Sequence, residues 1–366
     1  MDTELDKLND EVWQSSLARI MKKDMPVVRT SLGDDIDLYV PQMRTIMMVE
    51  ANPDIARLIY DSSRVSANRN VFVIMKRLGM PADYFWKFEY WVNDRAFETL
   101  RKVMNKVFTA IMNLNKEGNL DVQSVDIEHM RLTLSFKDCV ECAGVVAEKG
   151  LCYYHAGTFS GIISALLNKE MDAFEVTCHA KGDEACSFLI GKRDDPEISA
   201  KMNEYLAAVK IATRIDERLN TCLQGNVLRG MGNLVNVGYY HSMIANSLII
   251  GQADGSSSSF DIGLDYGIKM APIITAFYQD SQIDVITKYY RQLHHIDIKT
   301  IAVGENVDIV LSECAETATM FKNKELLRFL FGELQGLVSQ IINRKLVYQD
   351  SAFDNSDLKV RLSPQV

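Results

Sequence analysis

The stretch Glu175-Val-Thr-Cys-His-Ala-Lys-Gly-Asp-Glu-Ala-Cys186, EVTCHAKGDEAC, sets a carboxylate, two thiols and an imidazole around a Gly-Asp turn. Its flanks, MDAFEVTCHA (171–180) and ACSFLIG (185–191), are strand-like, so Lys181-Gly182-Asp183-Glu184 reads as a hairpin turn. If the loop is the odd-numbered Lys181-Gly182-Asp183, Cys178 and Cys186 face each other across the strands, close enough to share an ion. Glu175, three residues before Cys178, then points the other way and needs a bulge to join them.

Upstream, YYHAGTFSGIISALLNK (153–169) is apolar at helical spacing, with Gly157 and Gly161 on one face that allows another backbone to approach closely. Cys152 sits at the start of this helix, where unpaired N–H groups and the positive dipole end favour a thiolate. A set of Cys152, Glu175, Cys178 and Cys186 would pin helix to hairpin; with four protein ligands and no open position, its role would be structural. His179 is an alternative fourth ligand, although neighbours along a strand face opposite ways. Two further readings stay open: unmetallated core thiols, and a redox pair to which Cys139 and Cys142 would add partners. The match of Cys139 to Cys314, described below, favours a structural role for Cys139.

Further upstream, MRLTLSFKDC (130–139) alternates as a half-buried strand. Segment 81–118 is mainly helix, and residues 1–24 form an amphipathic opening helix. Downstream, residues 195–222 carry a proline in the first turn and a broad apolar stripe, which predicts one long connecting helix. The stretch GQADGSSSSFDIG (251–263) reads as a mobile loop, and His294-His295 as surface residues.

The second half repeats the first. A shift of 175 residues lays 137–171 on 312–346 without a gap: Cys139 meets Cys314, Glu141 meets Glu316, Gly157 and Gly161 meet Gly332 and Gly336, and Asn168 meets Asn343. Cys152, Glu175 and Cys178, however, fall on Leu327, Asp350 and Phe353, so the second copy keeps the pattern and drops the ligands. The expected organisation is an N-terminal helix (1–24), a first module (25–192), a connecting helix (193–224) and a second module (225–366). The fold class is α/β of the α+β kind: each module packs helices on an antiparallel sheet that ends in a β-hairpin.

Composition narrows the function. A net charge of −9 argues against a broad phosphate-binding surface, and hence against direct nucleic-acid binding. No eighteen-residue apolar run and no signal-like start occur, which points to a cytoplasmic protein away from membranes. Seven cysteines, an odd count, fit reduced thiols better than a disulfide framework. Five of the seven lie between 139 and 186, a clustering that burial preference alone does not explain. The absence of a P-loop, dinucleotide, GxSxG or HExxH pattern favours a non-catalytic protein.

The order C-x22-E-x2-C-x7-C, with a glycine-bearing helix after the first cysteine and a Gly-Asp-x-x-Cys hairpin at the end, resembles the 4-vinyl reductase domain. The zinc-containing sensor domains of phenol- and xylene-responsive transcriptional activators are similar. The resemblance implies one zinc ion on Cys152, Glu175, Cys178 and Cys186, a first module of this type over about 30–190, and a degenerate copy over 230–366. RTSLGDDIDLYV (29–40) is similar to the opening of such domains. The resemblance extends to small trafficking-complex subunits with a buried acyl pocket, which implies a sensor or carrier that binds a small apolar or aromatic molecule. Trp86, Tyr90, His155 and Phe159 are the candidate pocket residues, weighed against ordinary helix-packing roles. Alternatives are a thiol-based redox sensor, an accessory protein or enzyme of tetrapyrrole vinyl reduction, and an interaction module whose 195–222 helix forms a homodimer or partner face.

Overall fold

The structure, a computed structural model, describes residues 29, 33–52, 54–77, 112–113, 115–126, 128–240, 259–314, 327–354 and 357–365. The expected opening helix, most of segment 81–118 with Trp86 and Tyr90, and residues 251–258 lie outside the described residues.

In chain order the elements are β1 (Asp35–Asp37), α1 (Tyr39–Ala51), α2 (Ile55–Arg77), β2 (Asn119–Asp126), β3 (Arg131–Lys137), α3 (Tyr153–Leu167), β4 (Met171–Thr177) and β5 (Cys186–Lys192). There follow α4 (Pro196–Tyr205), α5 (Ile215–Leu223), β6 (Leu234–Asn236), α6 (Ser259–Tyr278), α7 (Gln282–Tyr289), β7 (Asp297–Val303), β8 (Val307–Ser312), α8 (Arg328–Ile341), β9 (Leu346–Asp354) and β10 (Asp357–Pro364). Contacts divide the chain into a first unit (1–25, 52–213 and 228–232) and a second (26–51, 214–227 and 233–366).

The first unit carries an antiparallel sheet in the order β2-β3-β5-β4. Leu132, Leu134 and Phe136 of β3 alternate inward and are buried, as their period demands, and they pair with Ile190, Phe188 and Cys186 of β5. Helix α3, buried along its whole length, packs between this sheet and α2. Gly157 and Gly161 explain how closely α2 approaches: a Cβ at Gly157 would meet Ser63 Oγ and the Tyr60 carbonyl, and one at Gly161 the Arg64 carbonyl. Asn168 ends α3 in the left-handed conformation (φ 50°), which asparagine tolerates. Tyr60 ties α2 to β4 by donating to Asp172 Oδ1 (2.9 Å) and accepting from the Ala173 amide (3.1 Å).

The second unit carries a sheet in the order β7-β8-β10-β9, the same arrangement element for element. Its helices α6 and α8 meet through glycines on both sides, Gly263 and Gly267 against the Phe329 and Glu333 carbonyls, and Gly332 and Gly336 against those of Phe260 and Leu264.

Three expectations are corrected. The connecting helix over 193–224 is two helices, α4 and α5. Lys149 donates its ammonium to the Glu204 (3.1 Å), Tyr205 (3.0 Å) and Ala207 carbonyls, capping α4, and Ile211 then bridges to Ala147. The first module does not begin at residue 25: residues 26–51 cluster with the second unit, because β1 pairs with β6 and Arg29 donates to the His295 carbonyl (2.7 Å). Residues 259–263 open α6 rather than ending a loop, and His294 is buried, 3.1 Å from Glu333.

Candidate functional site

The site grows from the ends of four elements of the first unit. After β3, Asp138 turns the chain in the left-handed conformation (φ 55°), and a tight turn follows in which the Ala143 amide donates to the Cys139 carbonyl (3.2 Å). That turn sets Cys139 and Cys142, three residues apart, in the same buried cluster. Cys152 is the residue before the first turn of α3. Cys178 follows β4, its amide donating to Asp183 Oδ2 (2.8 Å), and leads into a 3-10 turn over His179–Lys181 that Gly182 closes at φ 93°. Cys186 opens β5.

Cys178 and Cys186 therefore meet through this turn, Cys178 standing just outside the ladder rather than opposite Cys186 in a register pair. The bulge expected for Glu175 is present: the register slips between Glu175 and Thr177, leaving Val176 exposed and bringing Glu175 to the cysteine face.

All five sulfurs are buried, with Sγ–Sγ separations of 3.3 Å (Cys142–Cys186), 3.5 Å (Cys139–Cys152) and 3.9 Å (Cys152 to both Cys178 and Cys186). A tetrahedral ion with sulfur bonds of about 2.3 Å has ligand–ligand edges of about 3.8 Å. The observed spacing is close to that edge and is far beyond the roughly 2.05 Å of a disulfide. Two four-residue groups satisfy the geometry: Cys152/Glu175/Cys178/Cys186, and Cys139/Cys142/Cys152/Cys186.

Electrostatics point the same way. Burial pushes the Glu175 carboxyl well above the usual carboxylate range, and the neighbouring Cys178 and Cys186 push it further. Glu175 Oε2 accepts from the Cys152 amide (3.2 Å), while the buried Oε1 has no hydrogen-bond partner. The Cys186 thiol is held at about 5: its hydrogen bond with Cys139 opposes the shift, and those from Cys142, Cys152 and Cys178 outweigh it. An orphaned carboxylate oxygen among ionisable thiols is costly to bury alone and is satisfied by a cation. The donor set therefore fits zinc: thiolate-rich, tetrahedral in spacing and closed to solvent.

Behind the thiols lies a carboxylate–imidazole layer that sequence reasoning missed. Glu141 accepts from the amides of Tyr154 (3.0 Å) and His155 (2.9 Å), closing the N-terminus of α3, and also contacts His155 Nδ1. His155 Nε2 lies 3.2 Å from Glu117 Oε2. Burial alone would pull the imidazole down, but Glu141 outweighs it and holds His155 well above the usual histidine range. His155 and Phe159 are both core residues, Phe159 standing edge-on to Phe136 and Phe188. His179 is exposed and belongs to no ligand group. A cleft of about 230 Å³ reaches Glu175 from outside, rimmed by Lys149, Lys181 and Lys201. Cys139 and Cys142, left out of the expected tetrad, were legible only through the clustering of five cysteines in one part of the chain.

Residues 132–192 match the family model of the 4-vinyl reductase domain, which bears out the family resemblance over the segment that holds β3, α3, β4 and β5. Two uncharacterized proteins of Methanocaldococcus jannaschii are similar in sequence: MJ0150, 36% identical over 88 residues (24% of this chain, 50% of the relative), and MJ0745, 29% identical over 102 residues (28% and 56%). The chain thus spans about half the length of the curated relatives it matches. Among solved structures, the phenol-responsive sensory domain of the transcription activator PoxR with phenol is 16% identical, with 46% of this chain and 80% of that chain covered and a TM-score of 0.34. A trafficking protein particle complex subunit 3 of Naegleria fowleri covalently bound to palmitic acid is 14% identical (42% and 93% covered, TM-score 0.32). A vinyl-4-reductase family protein of M. jannaschii is 19% identical (36% and 92% covered, TM-score 0.21). No helix among the described residues is long and apolar enough to cross a membrane.

Proposed function

We propose that the chain is a non-catalytic sensor or carrier of small apolar or aromatic molecules, its first unit stabilised by zinc on Cys152, Glu175, Cys178 and Cys186. The second unit is then a degenerate copy that kept the fold and lost the metal. The observation that carries the metal half is the buried sulfur cluster at tetrahedral spacing, with the orphaned Glu175 oxygen in its ligand shell. The match to the 4-vinyl reductase family model supports the ligand half. The lysine-rimmed cleft is charged, so the apolar ligand is assigned elsewhere in the unit. Bound zinc would tie the α3 start to the β4–β5 turn, where the chain supplies little backbone pairing of its own.

Metal analysis of protein purified without a histidine tag, with thiol titration alongside, tests the metal half. At least one zinc per chain with the ligand thiols protected is expected; a ratio far below one with every thiol freely titratable refutes it. Mass spectrometry of small molecules released from the protein, and thermal shift with phenol and palmitate as probes, test the ligand half. Absence of any released molecule and of any shift removes it.

The 3.3 and 3.5 Å sulfur contacts favour one second reading, a thiol-based redox sensor. In it peroxide oxidises two thiols to a disulfide and is itself reduced to two waters. Loss of two titratable thiols per chain on peroxide treatment, restored by dithiothreitol, is its signature.

A further inference from the structure

The proposed zinc site uses three of the five clustered thiols. Cys139 and Cys142 are as deeply buried as the rest, and each lies against a ligand of that site: Cys139 Sγ is 3.5 Å from Cys152 Sγ, and Cys142 Sγ is 3.3 Å from Cys186 Sγ. Together with those two ligands they form a second complete four-donor group whose ligand atoms all lie within 4.8 Å of one another. The two groups share two sulfurs, those of Cys152 and Cys186, which is the connectivity of two tetrahedra joined along an edge.

We propose that the cluster is a two-ion centre: one thiophilic d10 ion in Cys152/Glu175/Cys178/Cys186 and a second in Cys139/Cys142/Cys152/Cys186, with the Cys152 and Cys186 sulfurs bridging. This rests on the metal-binding reading above and deepens it.

Three observations carry it. First, charge: five thiolates and one carboxylate sum to six negative charges in a buried space, of which one divalent ion balances two and a pair of ions four. With a single ion, Cys139 and Cys142 must stay protonated. Second, chemistry: thiolate sulfur has lone pairs enough to bridge, and soft d10 ions such as Zn2+, Cd2+ and Cu+ select such ligands. Third, packing does not call for the bridging thiols. Leu327 and Leu358 fill the corresponding start of helix and start of strand in the second unit and are fully buried. The Glu141–His155–Glu117 layer flanks the second group, with His155 Nδ1 3.9 Å from Cys139 Sγ, so the extra thiols are enclosed on that side by charged groups rather than by apolar packing.

The test exchanges the full-length reduced protein into excess Cd2+ under argon, removes free metal and weighs the folded chain by native mass spectrometry. The ultraviolet cadmium–thiolate band counts sulfur bonds in parallel. Two cadmium ions per wild-type chain are expected, falling to one in C139S/C142S and in C142S alone, and staying at two in the control C222S/C314S. One ion in the wild type overturns the two-ion centre and leaves the single site standing. None overturns both. Two ions retained in C139S/C142S overturn the assignment, since the second ion would then bind elsewhere. The wild-type count does not depend on whether any variant folds.

Discussion

The two units build one scaffold and fill it differently. Their sheets share one strand order, α3 and α8 begin 175 residues apart, and even the left-handed residues recur at that offset: Asp138 with Glu313, and Asn168 with Asn343. Where the first unit starts its helix after Cys152, the second has Leu327. The pairing of Phe136 with Cys186 is replaced by that of Leu311 with Leu358. Glu175 and Cys178 give way to an exposed Asp350 and a half-buried Phe353. The scaffold thus closes at this corner by apolar burial in one unit and by a buried polar cluster in the other. Since leucine suffices, the cysteines are there for what they bind.

The strongest break of this comparison is metal removal. Structural zinc contributes on the order of 10–16 kcal/mol of apparent binding free energy. Chelation during mild unfolding is therefore expected to collapse hydrogen-exchange protection over 132–192 and to leave 297–364 protected; equal loss in both units contradicts the contrast. Next come single substitutions at equivalent corners. Leu358→Ala and Leu327→Ala are expected to cost about 2–5 kcal/mol each whether or not metal is present. Cys186→Ser is expected to destabilise the metal-loaded protein by a comparable amount and to have little effect once the metal is gone. Chemical denaturation of both forms checks this metal-conditional difference.

A smaller effect should be shared. Gly157→Ala and Gly332→Ala each push a methyl into a backbone carbonyl of the facing helix, that of Tyr60 or Phe260. About 1–3 kcal/mol of destabilisation is expected in each unit. A neutral result in one unit alone would show that the helix pairs are not equivalent. The smallest effect belongs to the second unit. Burial, with Arg29 beside it, pulls the half-buried His295 down to about 4. The unfolded chain binds this proton near the ordinary value of about 6.5. Stability is therefore full above that value, falls as the pH drops from about 6.5 to about 4, and flattens below. His295→Asn, which tolerates the left-handed backbone at this position (φ 50°), should remove that part of the acid sensitivity in urea melts at pH 7 and 5.

Much of the first unit was legible because its periods are clean. The alternation of Leu132, Leu134 and Phe136, the helical run after Cys152 and the Gly-Asp turn each give one local answer, and β3, α3, β4 and β5 follow. Glu175 was placed with the thiols once a bulge was allowed, and the bulge at Val176 supplies it. What the sequence hid depends on partners far along the chain. The 195–222 stripe looks continuous, but Lys149, some fifty residues upstream, caps it at Tyr205. Three residues of pairing, Asp35–Asp37 with Leu234–Asn236, were enough to draw 26–51 into the second unit, and no periodicity announces so short a ladder. Cys139 was read as structural because it has a copy at Cys314, a buried thiol outside every ligand group among the described residues. Its turn, made by a left-handed Asp138, delivers it to the cluster all the same.

The central claim is that an ion sits among the sulfurs of the first unit and none at the matching corner of the second. An anomalous difference map collected at the zinc edge on crystals of the full-length protein tests it most directly. The account predicts density among Cys152, Glu175, Cys178 and Cys186, and none near Leu327 and Leu358. Five sulfurs drawn apart with no peak between them, or peaks of equal height in both units, would contradict it.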